Sequence, residues 1–322
     1  MAAAARVAGP ARRIVVLNER DLDNPRVGGA EIHVFEIFRR LVERGHSVRL
    51  LAASFRGAVP TVRMQGVVVR RLAGNRFSYY PQMPFALRRE LAAEPADVVV
   101  DLLNKLPFFS PLVTAVPCCA IAHHLFGKTA FGQVPFPIAV ATALAEKAIP
   151  VVYRDTPILA ISESTRVDLI ARGIPAANVV VAPPGIDEAT YTPGPVSGRP
   201  PLILWIGRLE HYKRADVMVE AFREIRRQVP EARLSIIGSG QARGALEQQV
   251  RERGLGAAVE FTGYISEARK IEYLQRATLL VNTSVKEGFG LTVIEANACG
   301  AATVSTDVPG LRDSVRDGET GV

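Results

Sequence analysis

The chain of 322 residues contains few cysteines and a single tryptophan. Two of the three cysteines, Cys118 and Cys119, are adjacent, so the thiols match neither a disulfide framework nor the spacing of a metal site. The sequence also lacks a run of the roughly 18–20 apolar residues that a membrane-spanning helix needs. The longest candidate, Val134 to Tyr153, is interrupted by Glu146 and Lys147. Because the N-terminal MAAAARVAGPARR does not resemble a signal peptide either, we expect a cytoplasmic protein.

Acidic residues are fewer than basic ones, and the net charge is +7. Residues 1–190 carry 22 Lys and Arg against 16 Asp and Glu, whereas residues 191–322 carry 17 against 16. A basic first half favours an anionic lipid or a phosphorylated acceptor as partner, although it also fits a solvated arginine-rich surface. We therefore formulate peripheral association with the inner face of an anionic membrane as a hypothesis. Nucleic acid is not expected as a partner, because no zinc finger, basic helix or aromatic ribonucleoprotein motif is present.

Short apolar runs of strand length alternate with segments of helical spacing along the whole chain, which is typical of a doubly wound α/β fold. One segment between them, Pro183 to Pro201, is dense in proline and glycine and is predicted to be a linker. We therefore predict two Rossmann-like domains with parallel sheets that face each other across a hinge. Their predicted bounds are residues 1–190 and 191–322.

The most informative stretch is EGFGLTVIEANACG, from Glu287 to Gly300. It follows an apolar run of strand length, passes through a loop with two glycines and opens an apolar helix. Glycines let a backbone approach a ligand closely, and the free N–H groups of a helix start favour an anion. Glu287 and Glu295 bracket this element, at the end of a strand where open α/β sheets bind ligands. The alternative is an ordinary strand–turn–helix with two solvated glutamates.

This Glu-x7-Glu segment resembles the donor-site signature of glycosyltransferase family 4. The members of that family are retaining enzymes of the two-domain GT-B architecture. The resemblance implies transfer of a hexose from a nucleoside diphosphate sugar, GDP-mannose or a UDP-hexose, to a glycan or lipid-linked acceptor. It implies no metal ion and no other cofactor. Within the segment it implies that Glu295 holds the ribose hydroxyls, that Glu287 faces the transferred sugar, and that Phe289 and Gly290 offer backbone amides to the sugar or the phosphates. Gly288 and Leu291 complete the predicted donor loop.

A second pattern is cationic. It consists of Gly207-Arg208-Leu209 followed by Lys213, and it lies at the end of the first predicted strand after the linker. Arginine can bind two phosphate oxygens at once and lysine adds a mobile point charge. The resemblance implies that Arg208 and Lys213 bind the donor diphosphate and act in catalysis, whereas two surface cations near a helix start are the alternative. It also places Tyr264 and Ile265 near the nucleotide base.

In the first half, Gly28 and Gly29 resemble the glycine-rich loop at which the N-terminal helix of the family meets the diphosphate and the acceptor. His123 ends a predicted strand, where the family has a histidine beside the transferred sugar; we prefer it to His124, since the family histidine comes first in its pair. A histidine at a strand end is more often a hydrogen-bonded structural residue, so its position carries this assignment.

Two further patterns imitate other sites. Gly238 and Gly240 resemble part of a dinucleotide fingerprint, but the third glycine, Gly244, comes one position late. The pair Asp21 and Asp23 has the Asp-x-Asp pattern of metal-dependent transferases, but it precedes the glycine loop of the first half and is predicted to be a surface loop.

The resemblance covers only part of the family pattern. Relatives continue with a further strand and helices past the segment that corresponds to residues 317–321 of this chain. That leaves open a nucleotide-sugar-binding module or an inactive, truncated relative. A sugar-nucleotide epimerase of the same fold is another alternative. A phosphorylase would need a lysine for pyridoxal phosphate, and the sequence identifies none.

Overall fold

The computed structural model describes residues 9–74, 78–103, 106–127, 135–195 and 197–322. The chain forms two compact units. The first is built from the residues up to 127 together with 140–161 and 166–182, and the second is built mainly from 183–322. Each unit holds a sheet of predominantly parallel strands covered by helices, which confirms the predicted α/β class with two parallel-sheet domains. No helix among the described residues combines the length and the apolar character needed to cross a membrane.

The sheet of the first unit has eight strands. They are β1 (Arg13–Leu17), β2 (Ser47–Ala53), β3 (Thr61–Met64), β4 (Val67–Leu72), β5 (Val98–Leu103), β6 (Cys118–Ala122), β7 (Ile158–Ala160) and β8 (Val179–Val181). Their order is β3-β4-β2-β1-β5-β6-β7-β8, with β3 antiparallel to β4 and the other pairs parallel. The central strands are continuous apolar runs, since helices cover both faces of a parallel sheet. Val15 and Val16 are accordingly both fully buried.

Among the described residues, four α-helices accompany this sheet. They are α1 (Gly29–Glu43), α2 (Tyr79–Ala93), α3 (Phe136–Val152) and α4 (Glu163–Ala171). The core-facing side of α1 carries Val34, Phe35 and Phe38, at the three- and four-residue spacing that places side chains on one helix face. The segment between the end of β1 and the start of α1 contains Gly28 of the predicted glycine loop, and Gly29 is the first residue of α1.

The sheet of the second unit has five parallel strands. They are β9 (Leu202–Ile206), β10 (Arg233–Ile237), β11 (Val259–Gly263), β12 (Leu279–Asn282) and β13 (Ala302–Ser305), and they alternate with α5 (Ala215–Gln228), α6 (Arg243–Glu252), α7 (Glu267–Arg276), α8 (Leu291–Ala298) and α9 (Leu311–Ser314). Their order is β11-β10-β9-β12-β13, so the direction of winding reverses between β9 and β12. The loops that follow these two strands therefore lie side by side, at the position where open α/β sheets bind ligands.

Four elements were not predicted from the sequence, and each has a weak pattern. The edge strand β3 (TVRM) has no buried residue and carries no apolar run. The helix α2 contains Pro84, which interrupts the regular helical signal. The strand β13 and the helix α9 have only four residues each, too few for a period to show.

The prediction that the Asp-x-Asp pattern is a surface loop was wrong for Asp21, which lies in the core of the first unit. The Asp21 side chain is fully buried and accepts two hydrogen bonds from Arg71 on β4, at 2.6 Å from Nε and 3.1 Å from Nη2. Asp23, whose side chain is 55% exposed, accepts a third at 2.9 Å from the same guanidinium group. The two carboxylates therefore neutralise a buried arginine, which is the condition under which a charge can be buried at acceptable cost.

This arrangement predicts that the two aspartates contribute unequally to stability. Asp21→Asn should lower the free energy of unfolding by about 3–5 kcal/mol, because it removes one partner of a buried ion pair. Asp23→Asn should cost about 1 kcal/mol or less, because its carboxylate is solvated. Denaturant unfolding of both variants at neutral pH measures the difference, and equal losses would contradict the assignment of Asp21 as the buried partner.

Candidate functional site

The loop after β9 is held close to the loop after β10, and glycines make this approach feasible. Gly207 donates its N–H to the carbonyl of Ile237 at 3.0 Å. A Cβ atom at Gly238 would lie 1.9 Å from the carbonyl oxygen of Gly207, and one at Gly240 would lie 2.4 Å from that of Leu209. Gly238 also has φ of +133°, which favours glycine. These two glycines, which imitate a dinucleotide fingerprint, thus serve loop–loop packing.

Lys213 and Glu287 lie together, although 74 positions separate them in the sequence. The ammonium group of Lys213 donates to Oε1 of Glu287, and Ser284 Oγ donates to the same oxygen at 2.7 Å. Both charged side chains are half-buried, at 16% and 15% exposure. The loops after β9 and β12 thereby hold one cation and one carboxylate in contact at the sheet position where winding reverses.

Arg208 is exposed at the same edge of the sheet. Its Nη2 donates to the hydroxyl of Tyr212 at 3.2 Å. Tyr212 also lies beside Lys213, whose Nζ is 5.3 Å from the centre of the tyrosine ring. The two predicted diphosphate-binding cations therefore flank one aromatic side chain.

The loop from Glu287 to Gly290 is fixed by a neighbour that the sequence motif does not include. Glu287 donates its N–H to the carbonyl of Pro309 at 3.2 Å, and a Cβ atom at Gly310 would lie 2.2 Å from the carbonyl oxygen of Glu287. Gly290 precedes α8 with φ of +88°, and a Cβ atom there would lie 2.8 Å from Ser314 Oγ. Glycine is therefore required at both close approaches. Gly288 lies within this loop half-buried, Phe289 is buried, and Leu291 begins the helix.

Glu295, on the second turn of α8, is a buried and paired carboxylate, unlike the solvated glutamate of the alternative interpretation. Its Oε2 lies 2.9 Å from Nζ of Lys270 on α7, which also pairs with Glu267 at 2.9 Å. Burial alone would lower the pKa of Lys270, but the carboxylates of Glu295 and Glu267 outweigh it and raise that pKa. Tyr191 of the linker segment completes the cluster: its hydroxyl donates to Glu267, and its pKa is raised by burial and by the charge of Glu295.

Lys270 is a partner of Glu295 that sequence reasoning missed. The sequence does contain a trace of it, since Glu267 and Lys270 are three positions apart on a helix and can form an ion pair. The contact of Lys270 with Glu295, however, joins residues 25 positions apart and depends on the packing of α7 against α8.

The two residues predicted to lie near the base follow β11. Tyr264 is 85% exposed, whereas Ile265 is half-buried and packs against the core that includes Leu204 and Leu274. A contact of either residue with a nucleotide base stays a prediction.

In the first unit, His123 directly follows β6 and is buried against a second histidine. Its Nε2 lies 3.2 Å from Nδ1 of His33 on α1, and the rings meet edge to face. Burial, with a smaller contribution from the neighbouring histidines, lowers the pKa of His123 to about 3. Burial lowers the pKa of His33 to about 4. Both rings are therefore neutral near pH 7, and the single proton between the two nitrogens makes one ring the donor and the other the acceptor. Sequence reasoning missed His33, because only the fold brings α1 beside β6.

The predicted glycine loop forms a hydrogen bond with the first turn of the helix that follows it. Gly28 is the N-cap of α1, which begins at Gly29, and its N–H donates to Oε2 of Glu31 at 2.8 Å. Glu31 is buried, and Nη1 of Arg20 lies 3.5 Å from its other oxygen. Burial raises the pKa of Glu31, although Arg20 partly offsets this. A role of Gly28 and Gly29 toward a diphosphate or an acceptor stays a prediction.

Two family models match this chain in succession. The model described as Glycosyltransferase Family 4 matches residues 27–190, and the one described as Glycosyl transferases group 1 matches residues 192–322. Among curated proteins, the D-inositol 3-phosphate glycosyltransferase of Nocardia farcinica is 27% identical in an alignment 332 positions long, which covers 92% of this chain and 73% of the relative. These matches extend over both units.

Solved structures show the same fold. Sucrose-phosphate synthase from Thermosynechococcus elongatus aligns with a TM-score of 0.80 at 21% identity, covering 97% of this chain and 85% of the other. Anabaena Alr3699/HepE, in complex with UDP-glucose, aligns with a TM-score of 0.72 at 17% identity, covering 96% and 84%. The architecture of these proteins is the one predicted from the Glu-x7-Glu segment.

The histidine pair predicts a pH-dependent stability. Because the unfolded histidines have the ordinary pKa of 6.5, they bind protons as the pH falls below that value while the folded ones do not. The free energy of unfolding should therefore fall from pH 7 to pH 5. His33→Gln should reduce this fall by roughly 1–2 kcal/mol, because it removes one of the two histidines whose pKa is lowered in the folded protein. Denaturant unfolding at both pH values is the measurement, and the same fall in His33→Gln as in the unsubstituted protein would contradict it.

Proposed function

This chain belongs to glycosyltransferase family 4, and we propose that it transfers a hexose from GDP-mannose or a UDP-hexose to an acceptor hydroxyl, with retention at the anomeric carbon and without a metal ion. That it is a GT-B glycosyltransferase using a nucleotide sugar follows from its two family matches and its fold. The observation that carries the finer proposal is the pairing of Lys213 with Glu287 where the sheet of the second unit reverses its winding.

The departing nucleoside diphosphate develops negative charge, and cationic groups at this edge of the sheet can neutralise it. Lys213 and Arg208 supply two positive charges on the loop after β9, and the free N–H groups at the start of α8 point to the same end of the sheet. Arginine suits two phosphate oxygens at once, whereas lysine acts as a point charge. A metal ion is then not needed for this step.

The two glutamates have different surroundings, which fits the different roles proposed for them. Glu287 lies in the loop beside Lys213, so we assign it to the transferred sugar. Glu295 is held by Lys270 on the buried face of α8, which fixes the orientation of a carboxylate that accepts hydrogen bonds from the ribose hydroxyls. His123 is assigned to the transferred sugar from the first unit, where its neutral ring can exchange hydrogen bonds without adding charge.

The acceptor is proposed to be a glycan or a lipid-linked hydroxyl compound. The name of the relative from Nocardia farcinica refers to D-inositol 3-phosphate, and this supports a phosphorylated polyol as the first acceptor to test. A phosphorylated acceptor also suits the basic character of residues 1–190, where Lys and Arg outnumber Asp and Glu by 22 to 16.

Peripheral binding to an anionic membrane stays a proposal, as does a cytoplasmic location. Several arginines of the first unit are unsuited to test membrane binding, because they form ion pairs within the unit. Arg71 is buried against Asp21, and Arg39 and Arg40 both pair with Glu36. Arg70 pairs with Glu90. Charge reversal at Arg71 would therefore unfold the first unit, so that a vesicle-binding assay should use substitutions at exposed arginines such as Arg88 and Arg89 on α2.

Donor binding can be tested by thermal shift with UDP, GDP, ADP and their hexose conjugates, each with and without EDTA. One base should stabilise the protein by roughly 2.7 kcal/mol at about 100 times its dissociation constant, and EDTA should not change this. Glu295→Ala and Lys213→Ala should lose the shift, because they remove the ribose and diphosphate contacts. Glu224→Ala and Arg227→Ala are matched controls, since this pair is exposed on α5.

Two results would contradict the donor-site proposal: a shift that EDTA abolishes, or a shift that survives both site variants. Transfer itself requires product analysis with D-inositol 3-phosphate and with lipid-linked acceptors, and the anomeric configuration of the product tests retention. Binding without any transfer would favour the nucleotide-sugar-binding module.

A further inference from the structure

The hydroxyl of Thr283 is a buried junction between the core of the second unit and the loop that carries Lys213. Thr283 directly follows β12 and is 8% exposed. Its Oγ1 receives a hydrogen bond from the indole Nε1 of Trp205 at 3.0 Å. The same oxygen lies 2.7 Å from the carbonyl of Arg214 and 3.0 Å from that of Lys213. The hydroxyl accepts from Trp205 and has a single hydrogen to donate, for which the carbonyl of Arg214 is the nearer acceptor.

The backbone that Thr283 holds is in an uncommon conformation. Arg214 is the N-cap of α5 and has φ of +53° and ψ of +41°, the left-handed region that residues other than glycine rarely adopt. Such a conformation persists where surrounding contacts impose it. The hydrogen bond to the Arg214 carbonyl is one such contact, and the N–H of Val285 adds another by donating to the carbonyl of Tyr212 at 3.0 Å.

These contacts tie the residue on each side of Lys213 to the segment that leads to Glu287. Tyr212 is bound by Val285, and Arg214 is bound by Thr283. The backbone on both sides of Lys213 is thus held by residues that follow β12. The ammonium group of Lys213 contacts Glu287 of the same segment. A side chain of the same shape without a hydroxyl, as in valine, would leave the indole N–H and the Arg214 carbonyl without this partner.

We propose that Thr283 is a positioning residue that fixes Lys213 toward the diphosphate of the donor. This inference rests on the proposed function, in which Lys213 contacts the diphosphate. Thr283 lies outside the Glu-x7-Glu segment and outside the loop that carries Lys213. Its hydrogen bond connects Trp205, the only tryptophan of the chain, with the proposed donor site. The fluorescence of Trp205 should therefore report changes at Lys213.

The test compares binding of a nucleoside diphosphate with binding of the corresponding nucleoside, using the base that the thermal-shift panel selects. Thr283→Val should weaken diphosphate binding about three- to tenfold, the equivalent of one lost hydrogen bond, and leave nucleoside binding unchanged. Thr283→Ser, which keeps the hydroxyl, should bind both as the unsubstituted protein does. In a Lys213→Ala background, Thr283→Val should cause no further loss, because the group that it positions is gone.

The possible results distinguish failure of the positioning role of Thr283 from failure of the proposed function. If Lys213→Ala weakens diphosphate binding but Thr283→Val does not, the positioning role is wrong and the proposed function stands. Equal loss of diphosphate and nucleoside binding in Thr283→Val, or an added loss in the Lys213→Ala background, also overturns the role. If Lys213→Ala itself has no effect, both proposals fail.

A folding control accompanies these measurements. Circular dichroism and thermal unfolding establish that each variant is folded, and Thr283→Ala replaces Thr283→Val, with the same expectations, if the valine does not fit. Donor titration followed by Trp205 fluorescence should give a smaller change in Thr283→Val than in Thr283→Ser, whereas identical changes in the two variants would contradict the link.

Discussion

The adjacency of β9 and β12 is the constraint on which the candidate donor site depends. These strands pair in parallel through Leu279 with Ile203 and through Leu280 with Leu204, although about 75 residues of chain lie between them. Their pairing places the loop of Lys213 beside the loop of Glu287, so that two half-buried charges of opposite sign can meet. The neighbouring loops pack backbone against backbone and need glycine at Gly238, Gly240 and Gly310, where a Cβ atom would overlap a carbonyl group.

Much of the fold could be predicted from the sequence, because buried parallel strands are apolar runs whose pattern does not depend on their partners. The runs that became β1, β2, β5, β9, β10 and β12 are predominantly of this kind. Elements whose existence depends on tertiary contacts escaped prediction. The edge strand β3 lies antiparallel to β4, and the short strand β13 is defined by its pairing with β12.

The candidate site shows the same division between local and non-local information. Local motifs identified Glu287, Glu295 and Lys213 as candidates, and the structure brings Lys213 and Glu287 together. Their partners could not be found locally, since Lys270 reaches Glu295 only through the packing of α7 on α8, and His33 meets His123 only because α1 lies beside β6. The burial of Asp21 was missed for the same reason, as its partner Arg71 is on another strand.

Two paired carboxylates of this chain, those of Asp21 and Glu287, differ in burial and in the kind of cation that binds them. Asp21 is fully buried and bound through both oxygens by one guanidinium group, so its hydrogen-bonding capacity is directed into the core. Glu287 lies in a loop with 15% of its side chain exposed, and its Oε1 accepts hydrogen bonds from Lys213 and Ser284. A lysine can be displaced toward a phosphate more readily than a buried arginine fork, because its charge is compact and its stem is flexible. The Lys213–Glu287 pair is therefore suited to exchange its contacts on donor binding, whereas the Asp21–Arg71 pair is suited to hold the fold.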